Sequence, residues 1–347
     1  MKKVMAALSG GVDSSVAVFL LKRSGYDCAS SIMNLHAPSP ESVSDARSVA
    51  ERLNIPFYVL ECQDIFRKTV VEDFILSYEA GHTPNPGVTC NRCIKFSHFL
   101  QEAKALGYDA IATGHYARIR QEESTGRYLL LRALDESKDQ TYFLYMLNQQ
   151  QLAGILFPLG ELKKPQVRQI AEENGFINAH RKDSQDICFV PDGDYMAFIE
   201  GYTGKKYPCG DFLDLTGKVV GTHNGAVGYT LGQRKGLGLA MGAPVYVCGK
   251  DMEKNTVTVG PEEVLFSDTL VAENCNWFPF DALTEPIRVT AKARYRHKEQ
   301  PATVYPLDSG KAKVVFDTPQ RALTTGQAVV FYDGETVVGG GTICEIK

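Results

Sequence analysis

Two groups of residues have the types and spacing for chemistry. Near the start of the chain, Ala7-Leu8-Ser9-Gly10-Gly11-Val12-Asp13-Ser14 joins a short apolar run at Val4 to Leu8 to a largely apolar helical run from Ser15 to Lys22. The first N–H groups of a helix have no internal partner, and paired glycines let the backbone approach an anion closely. Ser9, Ser14 and Ser15 add hydroxyl donors, so the turn is a phosphate cradle. It is not the lysine-containing nucleotide loop, because no G-x-x-x-x-G-K-[ST] occurs in the chain. The second group is made of thiols. Cys90 and Cys93 form a C-x-x-C pair beside Arg92 and Lys95, and Cys188 follows Arg181, Lys182 and Asp183. A thiol in a loop entering a helix, with cations nearby, is expected to have a lowered pKa and to be the better nucleophile. A lone C-x-x-C also suits half a zinc site, a redox pair or two packed thiols.

The elements that must position these groups follow from the hydrophobic pattern. From Val4 to about Asp135, strand-like and helix-like stretches alternate: strands at Cys28 to Leu35, Pro56 to Cys62 and Tyr108 to Thr113, helices at Glu41 to Leu53, Ile65 to Tyr78 and Ile94 to Leu106. That alternation predicts a doubly wound parallel sheet, with ligands beyond the strand C-termini. The cradle, Met33, a polar proline-broken loop from Gly81 to Arg92 and Gly114-His115 all fall at such ends. Tyr128 to Ala133 predicts one arm of a hairpin, Gln140 to Phe157 a helix, and Pro165 to Asn174 another. Beyond Tyr202 glycines are frequent and strands short, with turn signals at Gly210-Asp211, Thr216-Gly217, Lys250-Asp251 and Asp333-Gly334. The expected division is a catalytic α/β domain over 1–202, a small β-rich central domain over 203–267 and a C-terminal β-barrel-like domain over 268–347.

Composition narrows the class. At 347 residues, 44% hydrophobic and 22% charged, the chain has the balance of a globular protein. No apolar run approaches a membrane span and no signal-peptide pattern opens it. Nine scattered cysteines suit reduced thiols in the cytoplasm. A net charge of −4 argues against a non-specific nucleic-acid coat. Local basic stretches do occur, at Gln233-Arg234-Lys235-Gly236 and Lys292-Ala293-Arg294-Tyr295-Arg296-His297-Lys298. The second interleaves cations with an aromatic ring, which suits phosphates and an unstacked base. A solvated strand edge gives the same pattern. His36, His82, His98, His180 and His223 form no defensible metal set or triad, whereas His115 sits at a strand end in the expected cleft.

The cradle S-G-G-V-D-S-S resembles the PP-loop of the ATP pyrophosphatase superfamily, whose members hold the pyrophosphate of ATP and transfer AMP to a carbonyl oxygen. Further motifs follow in order: T-P-N-P-x-x-x-C-N from Thr83, A-T-G-H-Y-A from Ala112, K-D-Q-T-Y-F-L from Lys138 and F-P-L-G-E-L-K-K-P from Phe157. After them come K-D-S-Q-D-I-C-F from Lys182, Y-T-L-G-Q-R-K-G-L-G from Tyr229 and A-R-Y-R-H from Ala293. The series covers nearly the whole chain and resembles the bacterial tRNA-uridine 2-sulfurtransferase family.

That resemblance implies ATP-dependent 2-thiolation of the wobble uridine in tRNAs for Lys, Glu and Gln. It implies an adenine nucleotide hydrolase-like PP-loop domain, ATP with Mg²⁺ beside Asp13, and nucleotide contacts from Ala7 to Ser14, Met33 and Gly114. Cys188 matches the persulfide carrier and Cys90 the partner nucleophile, with the two closing into a disulfide. Asn85, Pro86 and Gly87 match the segment at the target base, and His115, Lys138, Asp139, Gln140, Arg294, Tyr295 and Gln327 match positions that touch tRNA. The implied partners are the tRNA anticodon loop and a cysteine desulfurase or sulfur-relay protein. Two departures stand out: Gly87 replaces a frequent aspartate, and Cys93 is an extra thiol. Cys90, Cys93 and Cys188 are therefore candidate ligands of a [4Fe-4S] cluster, as in some related PP-loop thiolases. The rival expectations are another PP-loop enzyme that modifies RNA, and a catalytically idle RNA-binding or sulfur-carrier protein.

Overall fold

The computed structural model describes residues 1–36, 40–179, 187–190 and 192–347. The polar run from Arg181 to Asp186 and His180, both singled out in the sequence, lie outside the described residues.

Val4, Met5 and Ala6 are buried on both faces, as a strand inside a parallel sheet must be. Their side chains alternate: Val4 and Ala6 enter one apolar cluster and Met5 the other. This strand, β1 (Lys3–Ala7), is the centre of a five-stranded sheet. In chain order come helix α1 (Val12–Arg23), β2 (Asp27–Asn34), helix α2 (Pro40–Arg52), β3 (Phe57–Glu61), β4 (Ala110–Ala112), β5 (Arg118–Gln121), β6 (Tyr128–Leu131) and β7 (Ile155–Leu156). The sheet runs β3-β2-β1-β4-β7, with every pairing parallel. Chain direction across the sheet reverses between β1 and β4. The crevice beyond their C-termini is the place where such sheets hold ligands.

Two predicted boundaries fail, each for a tertiary or capping reason. The helix expected from Ile94 begins at Pro86 and runs continuously over 86–105, with a π-helical stretch at Asn91–His98. Asn85 is its N-cap, accepting from the Val88 N–H at 3.4 Å, and Pro86 opens the first turn. Cys90 is therefore helical rather than in a loop. The helix expected over Gln140 to Phe157 does not form; short 3-10 and α turns at Thr141–Phe143 and Gln149–Ala153 replace it. Barrel groups compete for its backbone. Asn276 donates to the carbonyls of Tyr145 (2.7 Å) and Leu147 (2.8 Å), and the Tyr142 hydroxyl donates to the Ala328 carbonyl at 2.9 Å. Tyr142, Leu144, Tyr145 and Leu147 are all buried, on directions no single helical face supplies.

The β-rich remainder forms two sheets. The first holds β8 (Gly210–Leu213), β9 (Val219–His223), β10 (Tyr246–Asp251) and β11 (Thr256–Gly260), ordered β10-β11-β8-β9. The second holds β12 (Phe266–Trp277), β13 (Ile287–Lys292), β14 (Gln300–Pro306), β15 (Ala312–Arg321), β16 (Ala328–Asp333) and β17 (Thr336–Ile346). Because β12 pairs with both β15 and β17, these six strands close into a barrel and leave no free edge. The β5–β6 hairpin reaches out of the catalytic domain and pairs Leu131 with Thr336 of β17. At Gly340 a Cβ would lie 2.7 Å from both the Tyr145 ring and the Val329 carbonyl. A glycine there lets the 140–148 segment press against the barrel wall. No helix among the described residues is long and apolar enough to cross a membrane.

Candidate active site

The phosphate cradle lies where β1 hands over to α1. Gly10 has φ 75°, a left-handed conformation that favours glycine, and Gly11 is the N-cap with no side-chain cap on the helix. The free N-terminal N–H groups are thus left for an anion. The loop's own hydroxyls brace it: Ser14 Oγ donates to the Gly11 carbonyl (2.9 Å) and accepts from the Ser9 N–H (3.1 Å), and Ser15 Oγ donates to the same carbonyl (3.1 Å). Asn178, which sequence reasoning passed over, is buried behind the loop. Its amide donates to the Gly10 carbonyl at 3.0 Å and to Ser15 Oγ at 2.9 Å. Gly114, just past β4, meets the loop from the other side, and a Cβ there would lie 2.8 Å from the Asp13 carbonyl carbon and the Ser14 nitrogen. Ala7 and Met33 lie at the C-terminal ends of β1 and β2, in line with the cradle.

Asp13 is committed on two sides. Both carboxylate oxygens accept from Lys164 Nζ at 2.7 Å, and one also accepts from the Tyr116 hydroxyl at 2.7 Å. Lys164 opens the helix Lys164–Glu173, which packs on α1. It lies inside the quoted F-P-L-G-E-L-K-K-P run, yet no sequence feature ties it to a loop 151 residues away.

Three thiols gather in an apolar cluster that also takes Met33 from the end of β2. Cys90, Cys62 and Ile94 are buried there, with Cys93, Ile187 and Phe189 packed against them. Cys188 is exposed, and its neighbour Phe189 anchors it, with ring centroids 5.7 Å from Phe66, 5.3 Å from Phe74 and 5.2 Å from Phe198. The expected lowering of the Cys90 pKa does not occur. Burial pushes the thiol up, and the Lys95 charge only partly opposes it. Although Cys188 reaches solvent, desolvation by the protein packed around it also pushes its thiol up, and the neighbouring Cys90 adds to that while Lys95 opposes it. The desolvation of a thiolate outweighs one cation at helical distance. All nine cysteines are free thiols. Among the described residues no group of three or more His, Cys, Asp or Glu side chains is placed to hold a metal ion.

His115 packs against the Phe96 and Phe157 rings, 5.3 and 6.1 Å away, with Nδ1 2.8 Å from Thr113 Oγ1. Burial, then the Lys95 charge, holds its pKa well below the ordinary histidine value, so the imidazole is neutral at physiological pH.

The remaining sequence candidates divide by exposure. Tyr295, Arg296 and Lys298 face solvent. Tyr295 leans on Phe143 with a centroid distance of 4.5 Å, and Phe143 in turn lies beside Gly87. The Lys292 ammonium sits 5.3 Å from the Tyr295 ring. Others are tied inward. Asp139 accepts from the Ala133 N–H (2.9 Å) and the Thr141 hydroxyl (2.5 Å), and Gln140 Oε1 accepts from the Tyr116 N–H (2.9 Å). Lys138 ends a 3-10 turn beside them. Arg294 donates to the Leu231 carbonyl at 3.1 Å and to Thr324 Oγ1, joining barrel to central domain. Gln327 donates to the carbonyls of Thr83 (2.9 Å) and Pro84 (3.2 Å). With the Thr83 N–H donating to the Thr325 carbonyl at 2.9 Å, a barrel loop thereby holds the segment that leads into Asn85, Pro86, Gly87 and Cys90.

The family model described as "tRNA methyl transferase HUP domain" matches residues 2–192, "tRNA methyl transferase PRC-barrel domain" residues 196–261 and "Aminomethyltransferase beta-barrel domain" residues 267–343. The chain is similar along its whole length to proteins named "tRNA-specific 2-thiouridylase MnmA". That of Acetivibrio thermocellus is 49% identical over 355 residues, covering 99% of each chain. That of Clostridium acetobutylicum is 48% identical over 354 residues, again covering 99% of each. The Clostridioides difficile protein is 46% identical, covering 99% of this chain and 98% of its own.

Proposed function

The chain belongs to the tRNA-specific 2-thiouridylase family, and from that premise we propose how its residues carry out ATP-dependent 2-thiolation of uridine in tRNA. The observation that supports the reading is the end of the parallel sheet: the glycine-serine turn follows β1, and Met33 at the end of the neighbouring β2 packs into the apolar cluster that buries Cys90 and takes Phe189, the neighbour of Cys188.

The chemistry needs both halves. The C2 oxygen of uracil is a poor leaving group, so it first attacks the α-phosphorus of ATP. The new O–P bond forms as the bond to pyrophosphate breaks. Backbone N–H groups of α1 and the Ser9 hydroxyl bind the phosphates while Ser14 braces the loop, and Asp13 is the carboxylate suited to Mg²⁺, which would offset phosphate charge. Exposed Cys188 is the thiol a sulfur donor can reach, and it carries the sulfane sulfur as a persulfide. The terminal sulfur attacks C2, and Cys90 then attacks the inner sulfur of Cys188. The S–S bond breaks, AMP departs with the original oxygen, and the two thiols leave as a disulfide. Two electrons pass from the thiols to the transferred sulfur, and a thiol reductant resets the pair.

Cys90 reacts from a buried, protonated state, so its deprotonation belongs to the transfer step itself. Asn85, Pro86 and Gly87 border the pocket for the target base, and Tyr295, Arg296 and Lys298 present an aromatic and cationic face to the anticodon loop. The wobble uridine of tRNAs for Lys, Glu and Gln is the substrate this reading assigns, with a cysteine desulfurase or relay protein as donor, in the cytoplasm. Two thiols suffice for this sequence of bonds, with Cys90 and Cys188 alone exchanging sulfur.

The test is 2-thiouridine formation on unmodified tRNA with ATP and a persulfide donor, after anaerobic purification. Wild type forms the product and Cys188→Ser does not; full thiolation by Cys188→Ser ends the persulfide reading. Cys93→Ser is expected to retain activity, and its loss would move the sulfur to a three-cysteine cluster.

A further inference from the structure

A loop that binds triphosphate without a lysine of its own has an electrostatic deficit. The cradle contributes N–H groups and hydroxyls, but its one charged side chain, Asp13, is negative. Backbone donors alone leave a polyanionic leaving group poorly balanced as charge builds on it. The structure supplies a cation from elsewhere. Lys164 is 7% exposed, and it is the one lysine, arginine, aspartate or glutamate among the described residues that is buried. Its ammonium lies on Asp13, at the mouth of α1.

We propose that Lys164 is the pyrophosphate-binding cation of this site: its ammonium takes the β- and γ-phosphates of ATP while Asp13 turns to the metal ion. This rests on the reading of the cradle as an ATP loop and adds to it a residue with a defined role. As the bond from the α-phosphorus to the bridging oxygen breaks, both electrons go to the pyrophosphate, and Lys164 stabilises that charge. No proton changes hands, because lysine enters and leaves the step as an ammonium.

The alternative is a structural ion pair that fastens the 164–173 helix to α1. The helix has other fastenings. Val167 and Ala171 are buried in the cluster that contains Val16 and Ala17 of α1. The Lys164 backbone N–H donates to Asp135 at 2.8 Å. Burying the lysine costs desolvation that its attraction to a partly exposed Asp13 often fails to recover, so such a pair is a poor fastener. It is an effective poised pair, because each partner has a charged group to receive when Mg²⁺ and a polyphosphate arrive together. Tyr116, donating to Asp13, keeps the carboxylate directed into the cleft meanwhile.

The experiment compares binding of Mg·ATP, AMP and inorganic pyrophosphate by calorimetry, using the full chain. Lys164→Met is expected to weaken Mg·ATP and pyrophosphate at least about tenfold, the scale of one lost charge-assisted hydrogen bond. AMP, which lacks the two outer phosphates, is expected to bind within about twofold of wild type. Lys164→Arg recovers part of the loss. Equal weakening of ATP and AMP, or no weakening at all, overturns the assignment and leaves Lys164 as a fastener. Should Lys164→Met fail to fold, the paired variant Asp13→Asn/Lys164→Met removes both charges of the pair, and its ATP-to-AMP ratio is read against Asp13→Asn alone. A wild type that binds Mg·ATP and does not thiolate tRNA would end the thiolation reading and leave Lys164 standing. A wild type that binds neither ATP nor pyrophosphate ends both.

Discussion

Gln327 separates two views of how the barrel serves catalysis. Its side-chain amide is spent on the carbonyls of Thr83 and Pro84, 2.9 and 3.2 Å away, immediately before the N-cap of the Cys90 helix. Gln327→Ala removes both hydrogen bonds. At about 0.5–1.5 kcal/mol net for each, the segment loses about 1–3 kcal/mol of local stability. Two tethers remain, from the Thr83 N–H to the Thr325 carbonyl and between His82 Nδ1 and Thr325 Oγ1, both at 2.9 Å. The fold therefore survives, while opening of residues 82–90 rises by roughly fivefold to a hundredfold. Amide hydrogen exchange over that segment reports the opening directly. Steady-state thiolation reports its consequence: a kcat lower by about tenfold, with the KM for tRNA within about twofold, because what is lost is alignment of Asn85 and Cys90. A KM raised about tenfold at unchanged kcat, with exchange over 82–90 unaltered, would refute this reasoning. Gln327 would then act through the tRNA, as the family resemblance implies.

The other predictions concern the cradle and the thiols. Gly114→Ala puts a Cβ 2.8 Å from the backbone of Asp13 and Ser14, so the loop must shift. Mg·ATP affinity is expected to fall at least about tenfold with a stability loss of about 1–3 kcal/mol, and wild-type ATP affinity would contradict the packing. Alkylation of Cys90 by a small thiol reagent, followed by mass spectrometry, is expected to rise about tenfold per pH unit. Because burial raises this thiol, no plateau is expected at or below the ordinary value of 9.0, and a plateau lower down would mean the cations win after all. Burial pushes the Cys28 and Cys62 thiols up to about 11. The folded chain then holds these protons more tightly than the unfolded one. That stability is complete below the ordinary value of 9.0 and is lost as the pH rises through about 11. Urea unfolding across that interval is expected to show falling stability, with a shallower slope in Cys28→Ala/Cys62→Ala. An equal slope in both proteins would assign the loss to other groups.

Much of the catalytic domain was legible because its signals are local. A strand followed by Gly10-Gly11 and an apolar helix declares its turn within a dozen residues, and β1 to β4 with α1 and α2 fall close to the pattern's expectation. The start of the Cys90 helix was missed, although Asn85-Pro86 is an N-cap followed by a first-turn proline, because that signal sits within a loop-like composition. The segment from Gln140 to Phe157 was not legible either. Its hydrophobic spacing suits a helix, but Asn276 and Ala328 lie more than a hundred residues away and take its polar groups.

The sequence by itself determined the order of the parallel-sheet strands and the glycine-serine turn after β1, because backbone sterics and hydrophobic period act over a few neighbouring residues. Only the tertiary structure decided that Cys90 is buried and protonated, that Gln327 holds the segment before it, and that Lys164 lies on Asp13. Desolvation and ion pairing depend on what surrounds a group in space, and here the chain brings Lys164 to Asp13 across 151 residues and Gln327 to Thr83 across 244.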